Sequence, residues 1–230
     1  MASGLLDAQD YGFPVPIAYG PGRIAEIADH CARNGITRPL IVTDRGSRDL
    51  PFIGRLAELL GVAGLTNAVF SDISPNPRDD EIEAGCVALR AGDHDAVIGI
   101  GGGSALDGGK AICLTAHNEI ALWDFDNDKA APSMAGETPF PKLICVPTTS
   151  GTGAETASTA MVTDTVKGMK FCVSHPDLKP AVALLDPVLT VGLPDNLPAW
   201  SGVDPLTHAI APYPVPDPNP PCSGMALRSP

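Results

Sequence analysis

Apolar positions along the chain recur with two alternating periods. Short runs of apolar or small residues, the pattern of a buried strand, occupy 15–19, 39–44, 67–70, 96–100, 142–146 and 181–186. Between them apolar residues return every three or four positions, the pattern of a helix face. One such stretch is 22–34 with Ile24, Ile27, Ala28 and Cys31, closed by Asn34-Gly35. A second is 50–60 with Phe52, Ile53, Leu56, Leu59 and Leu60, and a third is 78–91 with Ile82, Val87 and Leu89. A fourth follows residue 103, with Ala105, Leu106, Ala111, Ile112 and Leu114, and runs to about Ala116. Strands alternating with helices predict an α/β domain with a mostly parallel sheet. Two segments break the alternation. Residues 124–141 are polar and carry Pro132, Gly136, Pro139 and Pro141, so they read as a loop. Residues 158–164 and 170–173 read as a hairpin around 165–168. From Pro194 the composition shifts and a helix pattern starts near Leu197. The expected division is therefore 1–193 and 194–230. Eight of the 26 residues from Pro205 onward are proline, so the tail is expected to be irregular.

The strand ends carry the candidate chemistry. Residues 95–110, DAVIGIGGGSALDGGK, read as strand, glycine turn and helix. Such a turn brings free backbone N–H groups and the positive end of a helix to one point, where a phosphate can sit. Side chains at Gly101, Gly102 and Gly103 would block that approach. The alternative is a tight turn with no ligand. Asp44 ends a strand and can hold a ribose hydroxyl, repelling a 2′-phosphate and so favouring NAD over NADP; otherwise it is a cap or turn residue. The usual dinucleotide fingerprint places its acid after the glycines, and here the order is reversed. Thr148, Thr149, Ser150 and Thr152 follow a buried strand with Gly151 and Gly153 between them. That loop suits a phosphate or ribose, and its bland reading is a solvated loop. Ligands in parallel sheets bind beyond the carboxyl ends of the strands, where Asp44, Asn76, Gly101 to Ser104 and Thr148 to Thr152 all fall. Asp204 and His208 stand four apart, on one face of a helix. They can hold Fe²⁺ or Zn²⁺, or form an ordinary surface hydrogen bond. The histidines at 30, 94, 117 and 175 lie in separate elements and read as surface or core-edge residues.

Composition narrows the partners. A net charge of −12 argues against nucleic acid or an anionic membrane. The six cysteines have no metal-finger spacing and read as reduced, mostly buried thiols of a cytoplasmic protein. No signal peptide or membrane span is visible.

Three segments in order, GGGSALDGGKA (101–111), PTTSGTGAE (147–155) and GVDPLTHAI (202–210), resemble the iron-containing (group III) alcohol dehydrogenase family. The resemblance covers about residues 12–210. It implies a Rossmann-like, NAD-binding α/β domain followed by the start of an all-α domain, the dehydroquinate synthase-like fold, with the active site in the cleft between. By position, Asp44 would bind the adenosine ribose. Asn76, Gly102, Gly103 and Ser104 would line the path from adenosine to pyrophosphate, and Thr148, Thr149 and Thr152 would contact the cofactor further along. Asp107, Thr159 and Lys170 match positions near the cofactor, and Asp204 and His208 match two ligands of a catalytic divalent metal, Fe²⁺ or Zn²⁺. The implied reaction is hydride transfer between a small alcohol or aldehyde and NAD. A homodimer is expected from the resemblance alone. The family pattern needs two further histidines, and none follows His208 in this sequence. Pro205, Ala211 and Pro212 also depart from it. These departures lead to the expectation of a truncated or altered copy with impaired activity. A non-catalytic NAD(H)-binding module is the second expectation, and a lyase or synthase using the nicotinamide transiently the third.

Overall fold

A computed structural model of the protein describes residues 15–193, 196–211 and 226. The elements run β1 (Ile17–Tyr19), α1 (Ile27–Arg33), β2 (Pro39–Asp44), α2 (Pro51–Val62), β3 (Ala68–Ile73), α3 (Asp79–Ala91), β4 (Ala96–Gly101) and α4 (Gly103–Thr115). After a long loop come β5 (Lys142–Pro147), the pair β6 (Thr159–Asp164) and β7 (Met169–Ser174), β8 (Val182–Leu185) and α5 (Asn196–Ile210).

Six strands form one parallel sheet in the order β1-β8-β5-β4-β2-β3, and β6 and β7 pair antiparallel beside it. The central strands β2, β4 and β5 are buried on both faces, as a sheet covered by helices on each side requires, while the edge strands β1 and β3 are largely exposed. Alternation along the strands sends Leu40, Val42, Val97 and Cys145 to one face, packed with Ile82 and Leu89 of α3 and Leu106 and Ile112 of α4. Ile41, Ile98 and Ile144 go to the other face, packed with Ile27 and Cys31 of α1 and Leu56 and Leu60 of α2. Each such side chain contributes about 1.5–3 kcal/mol of transfer free energy.

The helices after β2 and β4 thus leave to opposite faces, although the two strands are neighbours. A crevice opens at their carboxyl ends, the topological switch point of the sheet.

The first helix differs from its sequence reading: its opening turn, Arg23–Glu26, is a 3₁₀ helix that passes into α1. The third strand runs past residue 70 to Ile73, because pairing with β2 carries the polar Ser71 and Asp72 along. Phe125, inside the loop read as polar, is buried in the core beside Phe140 and His175. Helix α5 contains Pro205, which has no N–H for the carbonyl of Ser201. Of the second expected unit, only residues 196–211 and position 226 fall within the described residues. The rest of the proline-rich tail, with Pro212 and Cys222, lies outside them, as do the first 14 residues.

Candidate functional site

The glycine turn closes around Gly101, whose φ of +143° is open to glycine and strained for other residues. A Cβ there would lie 2.7 Å from the Ala105 Cβ and 2.9 Å from Asp44 Oδ2. The turn and the acid at the end of β2 therefore touch only because residue 101 has no side chain. The Thr148 N–H donates to the Gly101 carbonyl at 2.9 Å, which ties the end of β5 to the same point. Gly102 then caps α4 with no side-chain cap bond. The first N–H groups of a helix have no acceptor within it and carry the positive end of its dipole. A Cβ at Gly103 would come 2.9 Å from Thr152 Cγ2, so the hydroxyl loop lies directly over the start of the helix.

A cleft of about 670 Å³ opens here, lined by Asp44, Gly102, Ser104, Thr148 and Thr149, with Leu189 among its apolar wall. Five of the residues singled out in the sequence thus share one cavity. Asp44 also braces its own turn: Oδ1 accepts from the Ser47 N–H at 3.0 Å and Oδ2 from the Ser47 hydroxyl at 2.9 Å. Asn76 and Lys170 line a neighbouring cleft of about 440 Å³ together with Arg78 and Thr163. Pro75 borders both cavities. Its carbonyl accepts a hydrogen bond from Ser104 Oγ, so that hydroxyl stitches α4 to the 74–78 loop.

Asp107 and Thr159 line neither cleft. They belong to an internal network around Lys110, a fully buried side chain on α4. Lys110 Nζ donates to the Thr159 carbonyl at 2.8 Å and lies 3.4 Å from Asp107 Oδ1. Burial pushes the Asp107 carboxyl above its ordinary pKa, against the pull of the Lys110 ammonium.

Glu81 was not singled out in the sequence, yet it holds the loop between the clefts. Its Oε2 accepts from the Ser74 N–H at 3.1 Å, the Ser74 hydroxyl at 3.0 Å and the Arg78 N–H at 3.2 Å, while Oε1 pairs with Arg45 at 3.0 Å. The signal that could have found it is a glutamate three residues after the helix N-cap, reaching back to the cap N–H.

Asp204 and His208 face each other across one turn of α5, Oδ1 to Nε2 at 3.8 Å, both partly exposed. Among the described residues no group of three or more His, Cys, Asp or Glu side chains converges to hold a metal. Among the described residues Asp204 and His208 are two of the donors that Fe²⁺ or Zn²⁺ would take. The 147–155 loop reaches α5 at Gly151, where a Cβ would lie 2.7 Å from the Ser201 carbonyl oxygen. The other histidines have structural surroundings. His94 Nδ1 donates to the Arg38 carbonyl at 3.0 Å, and His175 Nδ1 accepts from the Asp177 N–H at 3.1 Å. Cys31, Cys86, Cys113 and Cys145 are buried. Burial pushes the Cys31 and Cys145 thiols up to about 12, which leaves them protonated and unreactive. Among the described residues no helix is long and apolar enough to cross a membrane.

The iron-containing alcohol dehydrogenase family model matches residues 14–187. A curated relative, 1,3-propanediol dehydrogenase of Klebsiella pneumoniae, is 31% identical over 222 residues, covering 96% of this chain and 56% of the relative. The crystal structure of a 1,3-propanediol oxidoreductase superposes with a TM-score of 0.89 at 31% identity, over 96% of this chain and 57% of that one. A sulfoacetaldehyde reductase from Bifidobacterium kashiwanohense, solved in complex with NAD⁺, gives 0.85 at 30% identity over the same shares. The chain spans a little over half the length of these relatives. With the family model matching more than two thirds of its length, this chain belongs to the iron-containing alcohol dehydrogenase family.

Proposed function

We propose that this chain is the NAD-binding half of an alcohol dehydrogenase acting on a small alcohol or aldehyde. The observation that carries the reading is the uncapped start of α4 opening into the 670 Å³ cleft beside Asp44. The donor chemistry there fits NAD: backbone N–H groups for a pyrophosphate, a carboxylate for a ribose diol and hydroxyls from the 148–152 loop. When bound, NAD supplies the hydride acceptor or donor. Gly102, Gly103 and Ser104 frame the pyrophosphate position. Thr148, Thr149 and Thr152 wall the cofactor on the β5 side, and Asn76 and Lys170 extend the site toward the second cleft. Asp107 and Thr159 act indirectly, by holding the hairpin that carries Lys170.

Among the described residues no complete set of metal donors is present. Asp204 and His208 offer two donors, so the 230-residue chain as it stands is expected to bind Fe²⁺ or Zn²⁺ weakly and to turn over alcohol poorly. That same observation favours the second reading, an NAD(H)-binding module without catalysis. Buried, protonated thiols suit a reducing compartment such as the cytoplasm.

NADH fluorescence titration with and without each metal, followed by a screen of small primary alcohols, tests both readings. Saturable NADH binding with little turnover is expected. Asp44→Ala is expected to weaken NADH about tenfold, the loss of one charge-assisted hydrogen bond, and to narrow the preference over NADPH. Absence of NADH binding overturns the cofactor reading, and strong metal-dependent turnover overturns the impairment.

A further inference from the structure

The structure assigns to Lys110, acting with Asp107, the positioning of the β6–β7 hairpin against the start of α4, an inference that rests on the cofactor reading above. The two side chains sit three apart on α4 and meet at 3.4 Å. Together they face one edge of β6. Lys110 Nζ gives a hydrogen bond to the Thr159 carbonyl at 2.8 Å, and Asp107 Oδ2 takes one from the Met161 N–H at 3.1 Å. In an extended strand the carbonyl of one residue and the N–H of the residue two further on point to the same side. The pair thus supplies a donor and an acceptor where a neighbouring strand would have supplied both. The other edge of β6 is already taken by β7.

Stability alone gives a poor reason for this arrangement. Burying an ammonium and a carboxylate carries a desolvation penalty that a well-packed apolar pair would avoid. Burial raises the Asp107 pKa even with the ammonium beside it. What an apolar pair cannot do is satisfy Thr159 and Met161, and so fix which residues of β6 lie over α4. That register matters at the other end of the strand. Thr163 pairs with Lys170, both line the second cleft, and the Thr163 N–H donates to the Pro77 carbonyl at 2.7 Å. Sliding β6 along α4 by two residues would move Lys170 by roughly 7 Å, out of its place in the second cleft.

The test is a double-mutant cycle on the 230-residue chain, read by NADH fluorescence. Lys110→Met and Lys170→Met should each weaken NADH roughly tenfold. The double variant should bind no more weakly than the weaker single, because Lys110 acts through Lys170. Ile53→Ala, in the core of the opposite face, should lower Tm and leave the NADH Kd unchanged, separating positioning from general loss of stability. If Lys110→Met does not fold, Asp107→Leu takes its place in the cycle: it keeps the branched shape and removes both the acceptor for the Met161 N–H and the charge beside Lys110. A Lys110→Met protein with the wild-type Kd, or effects that multiply in the double variant, overturns the inference alone. Wild-type protein that binds no NADH overturns the cofactor reading and this inference with it.

Discussion

His30 shows how one side chain sets a pH limit. It is 6% exposed on α1, and its Nε2 has no hydrogen-bond partner; Glu26 Oε2 stands 3.9 Å away. Burial holds its pKa below the ordinary 6.5, with Arg33 adding to the effect. The folded protein therefore prefers the neutral ring, and the unfolded chain takes up the proton first as pH falls. The stability His30 contributes is complete above the unfolded value of about 6.5 and is lost as pH drops through the lower folded value. Urea midpoints measured from pH 8 to pH 5 should fall in the wild type, and the fall should be shallower in His30→Leu. Equal slopes in the two proteins would refute the assignment.

At the scale of an element, the 74–78 loop is held by side chains from three directions. Glu81 anchors it from α3, Ser104 from α4, and Thr163 from the hairpin through Pro77. The loop carries Pro75 and Asn76, so its shape is part of both clefts. Glu81→Gln removes the charge from three donors and from Arg45. A charge-assisted hydrogen bond is worth about 1.5–3 kcal/mol, and the exposed guanidinium adds little. A loss of about 2 kcal/mol in chemical denaturation is expected, together with weaker NADH binding. A variant that loses stability while NADH affinity stays unchanged would show that the loop has no part in binding.

For the whole molecule, no described side chain of α5 joins either core cluster. Val203, Leu206 and Ile210 lie on one stripe of the helix at 62%, 56% and 57% exposure. A contiguous apolar stripe of this kind drives association or dye binding. The 230-residue chain should bind a hydrophobic dye and self-associate with rising concentration. The triple variant Val203→Lys, Leu206→Glu, Ile210→Lys should do neither while keeping its NADH affinity. Light scattering that stays unchanged in that variant would place the sticky surface elsewhere.

The alternation of strands and helices, the glycine turn and the position of each candidate loop at a strand end follow from local pattern. Period two and period 3.6 report which face of an element is buried, and glycine reports where backbone must come close. Neither reports the partner. Strand order put β2 beside β4, although β3 and α3 separate them in the chain, and so brought Asp44 onto Gly101. Asp186 fixes the sheet edge by accepting from the Gly22 and Ile24 N–H groups, 164 and 162 positions away. Asp107 belongs to the glycine motif by position, but packing turned it inward to a buried lysine, and Ser104 gave its hydroxyl to Pro75. The sequence by itself determined the elements and the presence of a glycine turn between β4 and α4, because those depend on neighbours within a few residues. Only the tertiary structure decided which candidate side chains share a cavity and which hold the walls in place, because that depends on contacts between residues far apart in the chain.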